Sequence, residues 1–406
     1  MSTIPDPDVG SGGFRIGMLI NDTRYRSYTF QFIALVLLIL GIGYLISNLL
    51  TNLERNGLDL SWAFLGEPAG YDINQRPIEY SSQSTHARAS IVGAINTLIV
   101  AFLACISATV IGVIAGVLRL SNNWLVARLM SVYVEAFRNV PVLIWILIIF
   151  LAMSNALPQP RAFRGENATE SMWFDMIAFT NRGVYVPAFE NGSGSGIFWI
   201  TVLASIIGVF VYRRYARNLL YQTGRLLPTG WPSLAILIVP GLIMYFLLGQ
   251  PVGLERPELK GFNFQGGIHL RLSLIALWFA LAIYTGAFIA ENVRAGIQAI
   301  SKGQTEAAAA LGLRSGRIMN LVILPQALRV IIPPLISQFL NITKNSSLAI
   351  AVGYMDITGT LVGITLNQTG RAIEAILLLM LFYLVVSLSI SAIMNVYNNS
   401  VKLKER

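Results

Sequence analysis

Apolar positions in this chain are grouped on the scale of whole helices. Eight runs stand out: Thr29–Leu50, Ile91–Leu118, Val132–Met153, Gly196–Tyr212, Pro232–Leu248, Leu272–Ala290, Leu328–Thr343 and Ala372–Val396. A helix needs about 20 mostly apolar residues to cross a bilayer, so each run is a candidate span. The seventh is the shortest and carries Pro333, Pro334, Gln338 and Asn341. Prolines and polar groups are tolerated in a span where neighbouring helices or a water-filled space satisfy the backbone, which makes this run a pathway helix rather than a lipid-facing one. Pro141 lies inside the third run and predicts a kink there. The pattern specifies an all-α integral membrane protein of about eight transmembrane helices.

Composition agrees. Hydrophobic residues make up 55% of the 406 and charged residues 12%, against about 25% charged in a soluble domain. The first run begins near Tyr28 and is too long for the apolar stretch of a cleavable signal peptide. The net charge of +9 sits beside apolar spans, so it reports membrane topology and not nucleic-acid binding. With the N-terminus in the cytoplasm, 17 Lys and Arg fall in inside segments and 11 in outside ones, which favours both termini inside. The chain then divides into a cytoplasmic tail (1–28), a first helix (29–50) and an outside loop (51–90). A helical pair (91–153) and an insertion with two more helices (154–271) follow, then a last region (272–401) and a cytoplasmic tail (402–406). The outside part of the insertion ends in Asn191-Gly-Ser-Gly-Ser-Gly196, a composition expected of a flexible linker. Gly112 and Gly116 form a GxxxG pair in the second run and predict close helix packing. Cys105 is the sole cysteine and reads as a packing residue. His86 and His269 are the two histidines, both in expected outside segments, and no metal-binding, nucleophile–base or phosphate-loop motif is present.

The segment with the most specific pattern is Glu291–Arg329, between the sixth and seventh runs. Gln304–Leu311 is rich in strong helix formers, and Gly312 is placed as its C-terminal cap. Gly316 and Pro325 are expected to break the chain further on. The run Glu306-Ala307-Ala308, with Gly312 six residues after the glutamate and then Ile323-Leu-Pro325, resembles the EAA loop of ABC importer permeases. Gly93-Ala-Ile-Asn-Thr97, Arg138-Asn139-Val-Pro141, Gly296–Gly303 and Lys344-Asn345-Ser346-Ser-Leu348 resemble the polar amino-acid subfamily. The resemblance covers about Ser90–Ser154 and Gly267–Val401 and implies a five-helix type I importer core plus three extra helices. The long insertion is similar to that of general L-amino-acid and of glutamate, glutamine, aspartate and asparagine importers of Gram-negative bacteria. It implies a bacterial inner-membrane location and three kinds of partner: a second permease chain, homologous but different, an ATPase dimer, and a periplasmic amino-acid-binding protein. No cofactor is expected on this chain, with ATP and Mg used by the ATPase.

Within that frame Glu306, Ala307, Ala308, Gly312 and Arg314 are expected to couple the chain to the ATPase. Gln338, Asn341 and Lys344 recur every three residues and fall along one helical face. With Asn345 and Ser346 they offer a cation and amides suited to the carboxylate and ammonium of an amino acid. Tyr284 and Thr285 are expected to line the same space. Arg138, Asn139, Pro141 and Pro325 are assigned structural or gating roles, with Glu135 or a backbone carbonyl as the expected partner of Arg138. The rival reading, an ion-coupled secondary transporter, calls for internal repeats and midplane carboxylates, neither of which the sequence displays. A membrane-embedded enzyme lacks a recognisable motif.

Overall fold

The computed structural model describes residues 17–401 apart from 22, 56, 58, 166 and 167, so most of the 1–28 tail and the 402–406 tail lie outside the described residues. Among those described, eight helices are long and apolar enough to cross a membrane. The described residues up to Trp62 form one unit, dominated by helix α1 (Thr23–Arg55), whose apolar side chains are exposed along its length. The remainder of the chain forms a second unit.

The second unit is built on helices α2 (His86–Leu118) and α7 (Leu272–Gln298). Along α2 the buried positions Gly93, Thr97, Ala101, Ala104, Ala108, Gly112 and Gly116 recur every three or four residues, a stripe of small side chains down one face. Without Cβ atoms at Gly112 and Gly116 the two backbones come very close. A Cβ at Gly112 would lie 2.5 Å from Ile289 Cβ, and one at Gly116 would lie 2.6 Å from the Ala290 carbonyl. Around this seam pack α4 (Val142–Ala156) and α9 (Leu324–Asn345), and α10 (Ala372–Val401) packs against α9. Ile146, Leu277, Leu281, Ile289, Ile331 and Ile342 fill the core.

The third run is two helices, not one kinked span over Val132–Met153. Helix α3 (Trp124–Asn139) is capped by Asn123, whose side chain accepts from Leu125 N at 3.0 Å. It ends because Val140 is extended (φ −116°, ψ 135°) ahead of Pro141. A residue before proline is pushed out of the helical region, and a β-branched one all the more, so the chain breaks rather than bends. Pro141 precedes the first turn of α4, and Phe137 and Trp145 stack at 4.1 Å across the break. Pro325 also differs from expectation. It sits in the first turn of α9, and Ser315–Ile318 with a π-turn at Met319–Ile323 leads into it without a break. The wider turn absorbs the missing N–H and the ring of the proline.

The insertion adds antiparallel helices α5 (Ser195–Thr223) and α6 (Gly230–Leu247), which pack mainly on each other. Seven short strands lie at one end of the bundle: β1 (Ala178–Thr180), β2 (Gly183–Val186), β3 (Ala188–Asn191), β4 (Val252–Glu255), β5 (Glu258–Lys260), β6 (Asn263–Gln265) and β7 (Ile268–Arg271). They form antiparallel sheets β1-β2-β7, β3-β4 and β5-β6. The Asn191–Gly196 stretch is a paired turn and no flexible linker: Asn191 pairs with Val252, Gly192 N donates to Pro251 O at 2.9 Å, and α5 starts at Ser195. His269 stacks on Tyr185 at 4.1 Å in this layer, and His86 falls in the first turn of α2 with Nδ1 3.1 Å from Thr365 Oγ1. Within 63–85, Ala69, Ile73 and Tyr80 are buried against Ala89 and Val92 of α2.

Replacing Gly116 by leucine should separate α2 from α7 and cost about 1–3 kcal/mol, the usual range for overpacking. The thermal midpoint of the purified protein should fall, whereas Gly43→Ala, at a helix position with nothing within 4 Å, should not lower it.

Candidate functional site

At the end of the bundle away from the sheets, α7 continues to Gln298, two turns beyond the expected end of its span. Glu291, Arg294 and Gln298 hold that extension together along one face, with Arg294 Nη1 donating to Gln298 Oε1 at 2.6 Å. A short stretch then leads to α8 (Lys302–Ala310). Its C-terminus closes on Gly312, whose φ of +77° is a left-handed conformation that a side chain disfavours. Gly312 N donates to Ala309 O at 2.9 Å and Leu313 N to Ala308 O at 3.3 Å, so the helix end is clasped. Arg314 follows in extended conformation, and its carbonyl accepts from Arg317 N at 2.8 Å to start the next helical turn. Of the expected coupling residues, Ala308 is buried, while Glu306, Ala307, Gly312 and Arg314 are exposed. Leu311 is 82% exposed beside them, a large apolar side chain in open solvent on a short polar loop.

Just before this loop, Glu291 gathers three arginines. Its carboxylate bonds Arg119 at the end of α2 and Arg294 one turn on, and Arg138 near the end of α3 lies 3.8 Å away. The Arg138 guanidinium also sits 5.4 Å over the Phe288 ring. Arg138 therefore pairs with Glu291, not with Glu135. Asn139 takes up Glu135, donating to its backbone carbonyl at 2.8 Å, and so caps the last turn of α3 ahead of Pro141. Tyr133 adds a bond from its hydroxyl to Ile283 O at 2.6 Å, and Gly296 lets α9 approach α7 so closely that a Cβ would meet Ile331 Cγ1 at 2.3 Å. Helices α2, α3, α7 and α9 are thus joined at the base of the loop. Nothing local in the sequence identifies Glu291 as the hub; the one available signal is a lone carboxylate at the end of an apolar run whose facing span ends carry arginines.

The polar face of α9 points away from the core. Asn341 and Lys344 are exposed and Gln338 half-buried, while Ile342 and Thr343 between them are buried. No described carboxylate pairs with Lys344. Asn345 is half-buried, and Ser346 is fully buried, donating to Thr343 O at 2.7 Å. Tyr284 is half-buried and packs on Phe288 at 5.1 Å. Thr285, the next residue on α7, is 2% exposed and faces the core, so the two do not share a surface.

Beyond Ser346 along the chain the structure reveals a buried carboxylate absent from the sequence expectation. Asp356 is completely buried, accepts from Gly359 N at 2.8 Å through Oδ1, and has no well-formed bond at Oδ2. Burial pushes its carboxyl up to about 6, partly offset by that amide. The segment bearing it is held by the Gly93–Thr97 motif of α2. Asn96 Nδ2 donates to Met355 O at 2.9 Å, Tyr354 OH donates to Asn96 O at 3.0 Å, and Ile357 N donates to Thr97 Oγ1 at 3.0 Å. A Cβ at Gly93 would sit 2.3 Å from Thr360 Oγ1, so only glycine admits this contact.

The bundle thus carries a clasped, exposed helix at one end and an outward-facing polar stretch on α9. Residues 200–403 match the family described as binding-protein-dependent transport system inner membrane component. Over the full length of both chains the protein is 52% identical to the glutamate/glutamine/aspartate/asparagine transport system permease protein BztB of Rhodobacter capsulatus. It is 44% identical to the putative amino-acid ABC transporter permease protein YhdX of Escherichia coli, covering 94% of this chain and 95% of that one. Identity to the general L-amino acid transport system permease protein AapQ of Rhizobium johnstonii is 40%, over 98% and 97% of the two chains. The chain belongs to the binding-protein-dependent transport system inner membrane components, among the amino-acid ABC transporter permeases.

Proposed function

We propose that this multi-pass permease subunit carries polar L-amino acids inward, with glutamate, glutamine, aspartate and asparagine as its leading substrates, and that α8 is its coupling element. The observation that carries the coupling role is the placement of α8: short, exposed, clasped at Gly312, and flanked by α7 and α9, which are packed onto each other through Gly296 and Ile331. A partner ATPase dimer that uses ATP and Mg docks on Glu306, Ala307, Leu311 and the Arg314 corner; the small side chains allow close approach. Its closure moves α8 as a rigid body. Through the Glu291 cluster, α2 and α3 follow α7, and through the Ile331 contact α9 follows as well. The chain itself carries no phosphate loop. In this reading α2, the α3–α4 pair, α7, α9 and α10 form the five-helix core, α1 and the α5–α6 hairpin are additions, and both termini lie in the cytoplasm.

The substrate reading rests on full-length similarity, at 52% and 40% identity, to relatives named for glutamate, glutamine, aspartate and asparagine and for general L-amino acids. It rests also on the outward-facing Gln338–Asn341–Lys344 stretch, because a cation and two amides along a mostly apolar helix are costly against lipid. A second, homologous permease chain covers this face and closes the pathway, Lys344 takes the substrate carboxylate, and a periplasmic binding protein delivers the substrate to the end bearing the sheets.

Three outcomes test these roles. Gly312→Val forces a β-branched residue into a left-handed conformation, at about 1–2 kcal/mol locally. Reconstituted complexes should keep ATP hydrolysis but lose uptake; unimpaired uptake removes the coupling role. Glu291→Gln weakens the tie to Arg119 and Arg138. It should raise the ATP consumed per substrate imported, with the complex still assembled by size-exclusion chromatography, and an unchanged ratio rejects the transmission route. Lys344→Ala should lower uptake of glutamate and aspartate roughly 10–100-fold, the worth of a charge-assisted bond of about 1.5–3 kcal/mol. Retention of full uptake would show that the lysine does not contact substrate.

A further inference from the structure

From Gly192 to Gly253 the chain contains no acidic residue, and its four basic ones, Arg213, Arg214, Arg217 and Arg225, all lie at one end of the α5–α6 hairpin. Helix α5 is 29 residues long. At 1.5 Å per residue it extends roughly 43 Å, well beyond a hydrocarbon core of about 30 Å. Its apolar part ends at Tyr212, so the arginines begin where the hydrocarbon ends. Arg214 and Arg217 are three apart and Tyr221 continues the same face. All four arginines are exposed, and among the described residues no carboxylate pairs with them. Around them stand Tyr221 at 79%, Leu226 at 82% and Trp231 at 84% exposure, apolar and aromatic side chains suited to the headgroup boundary.

The end of the hairpin is also shaped. Tyr212 OH donates to Pro228 O at 2.7 Å and Arg213 Nε to Ser233 Oγ at 3.3 Å, which ties the connecting turn to α5 and α5 to α6. Gly208 brings α5 and α6 together, with an added Cβ 3.1 Å from Ile236 Cγ2. The core helices make at most incidental contact with this pair, so its flanks are left to lipid. An excess of arginines would by itself orient the hairpin. The fixed turn, the absence of any counter-charge and the adjoining exposed Trp and Tyr add a surface on which anionic headgroups can rest.

We propose that Arg214, Arg217 and Arg225, flanked by Tyr221 and Trp231, form a binding surface for anionic phospholipid headgroups in the leaflet at this end of the hairpin. The guanidinium forks bond phosphate oxygens, and the aromatic rings lie against the glycerol region.

The test is native mass spectrometry of the intact complex, exchanged into detergent with phosphatidylglycerol or phosphatidylcholine. The wild type should retain phosphatidylglycerol under activation that strips phosphatidylcholine, and added salt should weaken that retention, with inorganic phosphate weakening it no more than chloride at the same ionic strength. Each arginine near a charged surface is worth about fivefold, so the triple variant Arg214→Gln/Arg217→Gln/Arg225→Gln should bind phosphatidylglycerol roughly a hundredfold more weakly. The matching triple lysine variant, which keeps the charge and the topology, should retain most of the binding. Equal retention of both lipids by the wild type overturns the proposal whether or not the glutamine variant assembles. Unchanged retention in an assembled glutamine variant overturns it as well.

Discussion

Gly112 and Gly116 let α2 approach α7 until the Ile289 and Val293 side chains fill the space a Cβ would need, with 2.5 Å and 2.8 Å separating the hypothetical atoms. In a bilayer there is little hydrophobic drive for helices to leave lipid, so such close packing is what holds a bundle together. Most of the second unit is arranged around this seam. Helices α4 and α9 lie in the angles it leaves, and Tyr133 reaches the α7 backbone beside it. The Tyr354–Thr360 segment is pinned to the opposite end of the same α2 stripe by Gly93, Asn96 and Thr97.

The two ends of the seam serve different chemistry. At one end a carboxylate shared among three arginines joins α2, α3 and α7 just before the exposed α8. At the other, the buried Asp356 and Ser346 both face the Tyr383 hydroxyl, close in sequence to the outward-facing polar stretch of α9. A continuous stripe of small residues along α2 connects the two ends.

The apolar runs were legible because a span must satisfy every backbone group internally, which forces long, uncharged segments. The loop motif was legible for a comparable reason: helix formers followed by a glycine at a left-handed position leave a local signature, and Gly312 adopts that conformation. The break after Asn139 was only half legible. Pro141 marks the place, but whether a span bends or divides depends on what its ends can bond, and here Asn139 and the Phe137–Trp145 stack stabilise two separate helices. The β-layer was not legible, since strands of three or four residues carry too few positions to display alternation. For the same reason a glycine–serine run read as a linker, although pairing with Pro251 and Val252 turns it into a tight connection.

By itself the sequence determined which segments are long and apolar enough to span a membrane and where the Gly312-capped loop lies, because hydropathy and capping act over neighbouring residues, and the resemblance of its motifs pointed to the family. Tertiary structure alone decided which charges meet. Arg119 and Glu291 are 172 positions apart, and Asn96 and Met355 are 259 apart. No local rule relates such residues. They meet because the small-residue face of α2 packs against α7 at one register, and that register then determines which side chains are buried together and which, as on α9, are left facing outward.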